Sequence, residues 1–288
     1  MVDTASIIIA IISMVGALIA TLFTGYIAYV AEEHKRCREI KAEVRKYSDP
    51  LLVTAHDLQD RLWELLETRI TKFDRENHNG KENLDLFTCY LLAQFLAWTH
   101  ILKIKTQFLA FYEDKSTSNL RKILYKINDE LSTSRYDQSG WNFRLWPGHQ
   151  LAIAENMMVL EKENCQLRPM GWHQFKEEFG NKFTDYFRWF RESITDMLDA
   201  KEKKADAIPD QRLRRLQHLL IDLINTLDST GQVQSDRPPQ KCGSAIQCDC
   251  FSPECNGAEL ATQRSNRSRS YAKEAPTGSG KEEAHSRR

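Results

Sequence analysis

Four cysteines crowded into one polar stretch are the residues best placed to do chemistry in this chain. Cys242, Cys248, Cys250 and Cys255 are spaced C-x5-C-x-C-x4-C. Four thiolates at that density can hold a zinc ion tetrahedrally, so zinc is the one cofactor that the sequence admits. The usual C-x2-C pairs are missing, and three other fates compete: S-acylation that holds the segment to a membrane, unmodified thiols, and disulfides if the segment faces an oxidising compartment. The eight histidines are scattered along the chain and form no recognisable ligand set. A further thiol, Cys37, falls just after an apolar run, where juxtamembrane acylation occurs.

A second polar cluster reads Arg144-Leu145-Trp146-Pro147-Gly148-His149-Gln150-Leu151-Ala152-Ile153-Ala154-Glu155. Pro147-Gly148 makes a turn that opens a helix, which places Arg144, His149 and Gln150 where free backbone N–H groups favour an anion. With Glu155 further along, these residues form a candidate site for a small anionic ligand, or an acid/base pair of His149 and Glu155. The competing reading is a loop pinned by its tryptophans, with Arg144 paired to a helix carboxylate. That reading is favoured, because the cluster has no nucleophile, metal set or glycine loop beside it. The chain has no P-loop, dinucleotide fingerprint, HExxH or GxSxG motif; on that ground it leans away from being an enzyme.

The elements that must position these groups begin with residues 6–31, which carry no charge. As a helix they span about 39 Å, more than the roughly 30 Å of a bilayer's hydrocarbon core. Lys35, Arg36, Arg38, Lys41, Arg45 and Lys46 follow, while only Asp3 precedes. Lys and Arg stay on the cytoplasmic side, so the expected topology is a single-pass protein with residues 1–5 outside and everything after Ala31 in the cytosol. Within the span, Ser13, Ala17, Thr21 and Gly25 recur every four residues, with Gly16, Ala20, Thr24 and Ala28 alongside. That face of small residues suits close packing of two helices in lipid, and hence a homodimer.

Residues 32–47 are charged and continue the span as a juxtamembrane helix. Ser48-Asp49-Pro50 then reads as a break and a new start, opening a cytosolic domain over 48–230. Leu51, Ala55, Leu58 and Leu62 share one helix face. Leu84 to Tyr112 is apolar nearly all round and is read as a buried core helix rather than a second span, being short and carrying Gln94 and His100. Helices follow from Ser116, from Gln150 to about Gln166, and from Trp172 onward, the last with Phe175, Phe179, Phe183, Phe187 and Phe190 on one face. The final helix, Pro209 to Asp228, carries leucines at 213, 216, 220, 223 and 227. No stretch alternates with the period of a strand. The expected architecture is all-α: one transmembrane helix, a bundle-like domain of about six helices, and a disordered tail over 231–288, where composition turns polar.

The phrases Asp49-Pro50-Leu51, Leu91-Leu92-Ala93-Gln94, Phe143-Arg144-Leu145-Trp146, Gly148-His149-Gln150 and Leu216-Gln217-His218-Leu219 are similar to those of uncharacterised microbial proteins with an N-terminal span and a helical body. The resemblance covers about residues 47–228 and implies the architecture but no activity.

Lys and Arg equal Asp and Glu at 40 each, so the net charge is zero, which argues against nucleic acid as a partner. The partners expected are the lipid bilayer, a second copy through the anchor, and a protein partner of unknown identity. The function expected is a membrane-tethered helical interaction or scaffold module; the alternative is a membrane-anchored enzyme or binder of a small anion at Arg144–Glu155.

Overall fold

In the computed structural model, the described residues are 4–67, 80, 82–106, 115–135, 143–161, 166–204, 210–228, 240–243, 248 and 255, with the side chains of 4–12, 36, 37, 40, 41, 43, 44, 82, 83, 106 and 115–117 excepted. They are mostly helical. Helix α1 runs Thr4–Glu67, and a π-helical turn, Glu82–Leu86, leads into α2, Phe87–Thr106. Then come α3 (Lys115–Ser132), α4 (Pro147–Met157), β1 (Met158–Leu160), β2 (Leu167–Pro169), α5 (Trp172–Lys182), α6 (Thr184–Glu202) and α7 (Gln211–Leu227).

The break expected at Ser48-Asp49-Pro50 is absent. Helix α1 continues through Pro50 for 64 residues, about 95 Å at 1.5 Å per residue. Proline forfeits one backbone hydrogen bond there, but its fixed φ suits a helix. Thr54 Oγ1 donates to the carbonyls of Pro50 and Leu51 at 3.1 and 3.0 Å. The burial of Leu51, Leu52, Ala55, Leu58, Leu62, Leu65 and Leu66 offsets the lost bond, each leucine contributing about 1.5–3 kcal/mol. The two halves of α1 live in opposite surroundings. Met14, Leu18, Ile19, Leu22, Phe23 and Tyr26 are exposed, whereas the leucines after Pro50 form the core.

Helix α2 is the hub of the body and packs against α1, α4, α5, α6 and β2. The segment Leu84–Lys105 is apolar enough to cross a membrane by length and composition, yet it is mostly buried inside the body. Phe95, Leu92, Ala93, Ala97 and Ile101 are fully enclosed. Helix α7 packs on α1 and α3 and completes the bundle.

Two expectations are corrected in the second half. The helix expected to reach Gln166 ends at Met157, and β1 pairs antiparallel with β2 in the register Met158↔Pro169, Val159↔Arg168, Leu160↔Leu167. Pro169 forces Arg168 toward extended backbone, and it sits at the end of the ladder, where Met170 N–H donates to Met157 O at 2.8 Å. The aromatic helix from Trp172 is two helices meeting at Phe183 (φ −125°, ψ −19°). Thr184 Oγ1 donates to Phe179 O at 3.2 Å across that junction. Phe175, Phe179, Phe183, Phe187 and Phe190 are nevertheless all buried, and their rings meet in pairs 4.7–6.3 Å apart.

Candidate metal centre

The last helix is amphipathic by its leucines, but its burial goes beyond them. Arg212, Arg215, Gln217 and His218 are also buried. Two of the arginines face α3. Arg215 Nε lies 2.6 Å from Glu130 Oε2, and Arg212 donates to the carbonyls of Glu130 and Thr133 at the end of that helix. Cationic donors at a helix C-terminus satisfy its last carbonyls and meet its negative pole.

A second stripe of α7, at positions 214, 217, 218 and 222, reads a returning segment of chain. Arg214 is held by Asp210 and Glu67 and donates from NH1 to Gly243 O at 2.9 Å. Gln217 Nε2 donates to Gln240 O at 2.7 Å, and its Oε1 accepts from Cys242 N–H at 3.1 Å. Lys241 Nζ pairs with Asp222 Oδ1 at 2.8 Å. Residues 240–243, 248 and 255, in the stretch expected to be largely disordered, are therefore docked on α7. The docked backbone groups find side-chain partners of the complementary kind, which lets a polar segment be buried at all.

At the centre of this contact is His218, fully buried. Its Nε2 lies 2.8 Å from the carbonyl oxygen of Cys242, and its Nδ1 lies 3.4 Å from Cys248 Sγ. A carbonyl only accepts, so Nε2 carries the proton and the Nδ1 lone pair points at the thiol. Donor atoms of His218, Cys248 and Cys255 all lie within 4.8 Å of one another, and all three residues are buried. Cys242, Cys248 and Cys255 are thiols, not half-cystines. Cys242 is excluded from that triad. Its Sγ lies 3.8 Å from Arg214 O, and burial pushes the thiol up to about 12, Arg214 only partly opposing it.

Of the four cysteines singled out in the sequence, two enter the triad, Cys242 braces it through its backbone, and Cys250 lies outside the described residues. Histidine 218 was missed as a ligand. The leucine spacing carries no sign of it: at 3.6 residues per turn His218 falls on the face opposite Leu213, Leu216, Leu220, Leu223 and Leu227, and the returning segment covers it. The backbone at Cys37 belongs to α1, and its side chain lies outside the described residues.

Three of the Arg144–Glu155 candidate residues make separate contacts. Arg144 Nε donates to Ser132 O at 3.0 Å, and its guanidinium lies 4.2 Å above the Trp146 ring. The His149 ring meets Tyr186 edge-on at 5.4 Å. Buried Gln150 donates to Asn128 O and Leu145 O at 3.0 and 2.9 Å, clamping α3 to the loop before α4. Glu155 is exposed. Beside Gln150 lies an open groove of about 450 Å³, lined by Leu96, His100, Lys103, Tyr125 and Asn128 among others.

The small residues of the apolar half of α1, from Ser13 to Ala28, all lie on exposed helix. Nothing lies within 4 Å of where a Cβ on Gly16 or Gly25 would sit. Thr21 and Thr24 turn their hydroxyls onto the Ala17 and Ala20 carbonyls at 2.8 Å, so these two hydroxyls are paired within the helix. Comparison with protein-family models, with curated proteins and with solved structures gives no match.

Proposed function

We propose that the chain is a single-pass, membrane-tethered helical module that brings partner proteins or copies of itself to a membrane, with its body in the cytosol. The observation that supports this most is the division of α1. Its first half carries a 23-residue stretch of mean hydropathy 1.8, Ser13–Lys35, with none of it buried, and the same helix continues into the core of the body. An apolar surface of that length on a water-soluble protein is costly unless lipid covers it. A single unbroken helix also makes the tether stiff, so that the body keeps a defined stand-off from the bilayer. The small face with internally paired threonines fits a helix–helix contact in lipid. The enzymatic alternative draws less support, since Arg144, His149 and Gln150 are held by separate packing or hydrogen-bonding contacts and Glu155 is exposed.

The test is protease protection of a C-terminal tag in sealed vesicles, combined with cross-linking through the anchor. Digestion of the tag with the chain resistant to carbonate extraction supports the proposed topology. Extraction into the soluble fraction overturns the tether, and a protected tag overturns the orientation. Ala17→Ile with Thr21→Ile should abolish cross-linking between anchors; undiminished cross-linking removes the dimer.

A further inference from the structure

We infer that His218, Cys248 and Cys255 form a zinc site that fastens the cysteine-bearing segment to α7. The inference is independent of the membrane reading above. Its first ground is geometry. Zinc–sulfur and zinc–imidazole bonds of about 2.3 and 2.0–2.1 Å at a tetrahedral angle place sulfur and nitrogen about 3.6 Å apart. His218 Nδ1 and Cys248 Sγ are 3.4 Å apart, and all three donors lie within 4.8 Å of one another.

The second ground is the outer contact of the histidine. Metal-ligating imidazoles are held by a hydrogen bond from the other ring nitrogen, which fixes both tautomer and orientation. Here the Cys242 carbonyl takes that role at 2.8 Å. The carbonyl is itself positioned, because the N–H of the same residue is gripped by Gln217 one residue before the histidine. The third ground is the donor set. Two thiols and one imidazole, buried together, suit a borderline-soft tetrahedral ion and disfavour magnesium or calcium.

Zinc binding displaces one proton from each thiol, two in all, and leaves His218 neutral, so uptake is accompanied by acid release. The site ties residues 248 and 255 to a helix 30 and 37 positions earlier in the chain. The docked segment thereby becomes part of the body.

The experiment is metal analysis of the full chain, purified in detergent under reducing conditions without chelator, then incubated with zinc chloride and desalted. One zinc per chain is expected. The ratio should fall several-fold in Cys248→Ser and in His218→Gln, and stay near one in Cys242→Ser. Helical circular dichroism separates loss of metal from loss of fold. His218→Cys, which keeps a zinc donor at the same place, should retain the metal. Cobalt substitution of the wild type should give thiolate charge-transfer and tetrahedral d–d absorption. A wild-type ratio near zero with no cobalt spectrum overturns the inference. So does a folded His218→Gln chain that keeps its full zinc, because the cysteines would then bind metal without the helix.

Discussion

The imidazole of His218 and the backbone of Cys242 are joined by a 2.8 Å contact that fixes which face of the ring is offered to the cysteines. That backbone is in turn held by Gln217, fully buried, whose amide grips Gln240 O and Cys242 N–H together. Replacing Gln217 by Leu leaves both groups without their partner while filling the space. Each buried polar group stranded in this way costs about 1–3 kcal/mol. The two together cost about 2–6 kcal/mol, so opening of the docked segment should become at least about 30-fold more frequent. The rate at which Cys242 is alkylated in the folded chain measures this directly; an unchanged rate would mean that the segment is held by something other than Gln217.

A buried ion pair joins α3 to α7. Arg215 is 9% and Glu130 2% exposed at the side chain, and Glu130 Oε1 has no hydrogen-bond partner among the described residues. Arg135 is a weaker second cation at 3.7 Å. Breaking such a pair from one side leaves an uncompensated charge in the interior. Arg215→Met should thus destabilise the body by about 3–5 kcal/mol, while Arg215→Met with Glu130→Leu should recover most of the loss. Denaturant unfolding of the three chains checks this. A double variant no more stable than the single one would show that the pair contributes net stability and not merely mutual compensation.

The body was legible where burial follows local pattern. The apolar run around Phe95 had to be enclosed, and the leucines of α7 and the phenylalanines from Phe175 to Phe190 found the core that their spacing requires. Junctions were less legible. Phe183 continues the aromatic face, so periodicity carries no sign of the kink there. At Pro50 a helix-breaking residue is outweighed by the leucines that follow it. The His218 triad was half legible for another reason. Cysteine density points to a metal on its own, but the histidine that completes the set is 30 residues away from Cys248 along the chain. Only the docking of Gln240–Gly243 on α7 makes the two neighbours.

Lys201 Nζ donates to the carbonyls of Leu65 and Leu66 and so closes the C-terminal end of α1 from α6. Burial lowers its pKa below the ordinary 10.5; Asp210 opposes the shift and Arg214 adds to it. The unfolded chain therefore holds a proton on this lysine at pH values where the folded chain has begun to release it. Between the folded value and 10.5 stability must rise with pH, and the gain is lost as pH falls through the folded value. The stability of the wild type relative to Lys201→Met should climb as pH approaches 10.5. A relative stability that falls over that range would show the cation to be favoured by the two carbonyls more than it is penalised by burial.

Pro50 separates two accounts of how the apolar half of α1 joins the body. In an unbroken α1, Pro50 sits in a helix interior, where it costs up to about 3 kcal/mol relative to alanine. Pro50→Ala would restore the missing hydrogen bond to the carbonyl one turn earlier, and it should raise the unfolding midpoint. If the chain instead broke at Ser48-Asp49, Pro50 would stand in the first turn of a new helix, where proline is favoured and alanine brings nothing. Pro50→Ala would then be neutral or destabilising. Thermal unfolding of the two chains in the same detergent decides between them, and with it whether the apolar half of α1 and the leucines from Leu51 to Leu66 behave as one rigid rod.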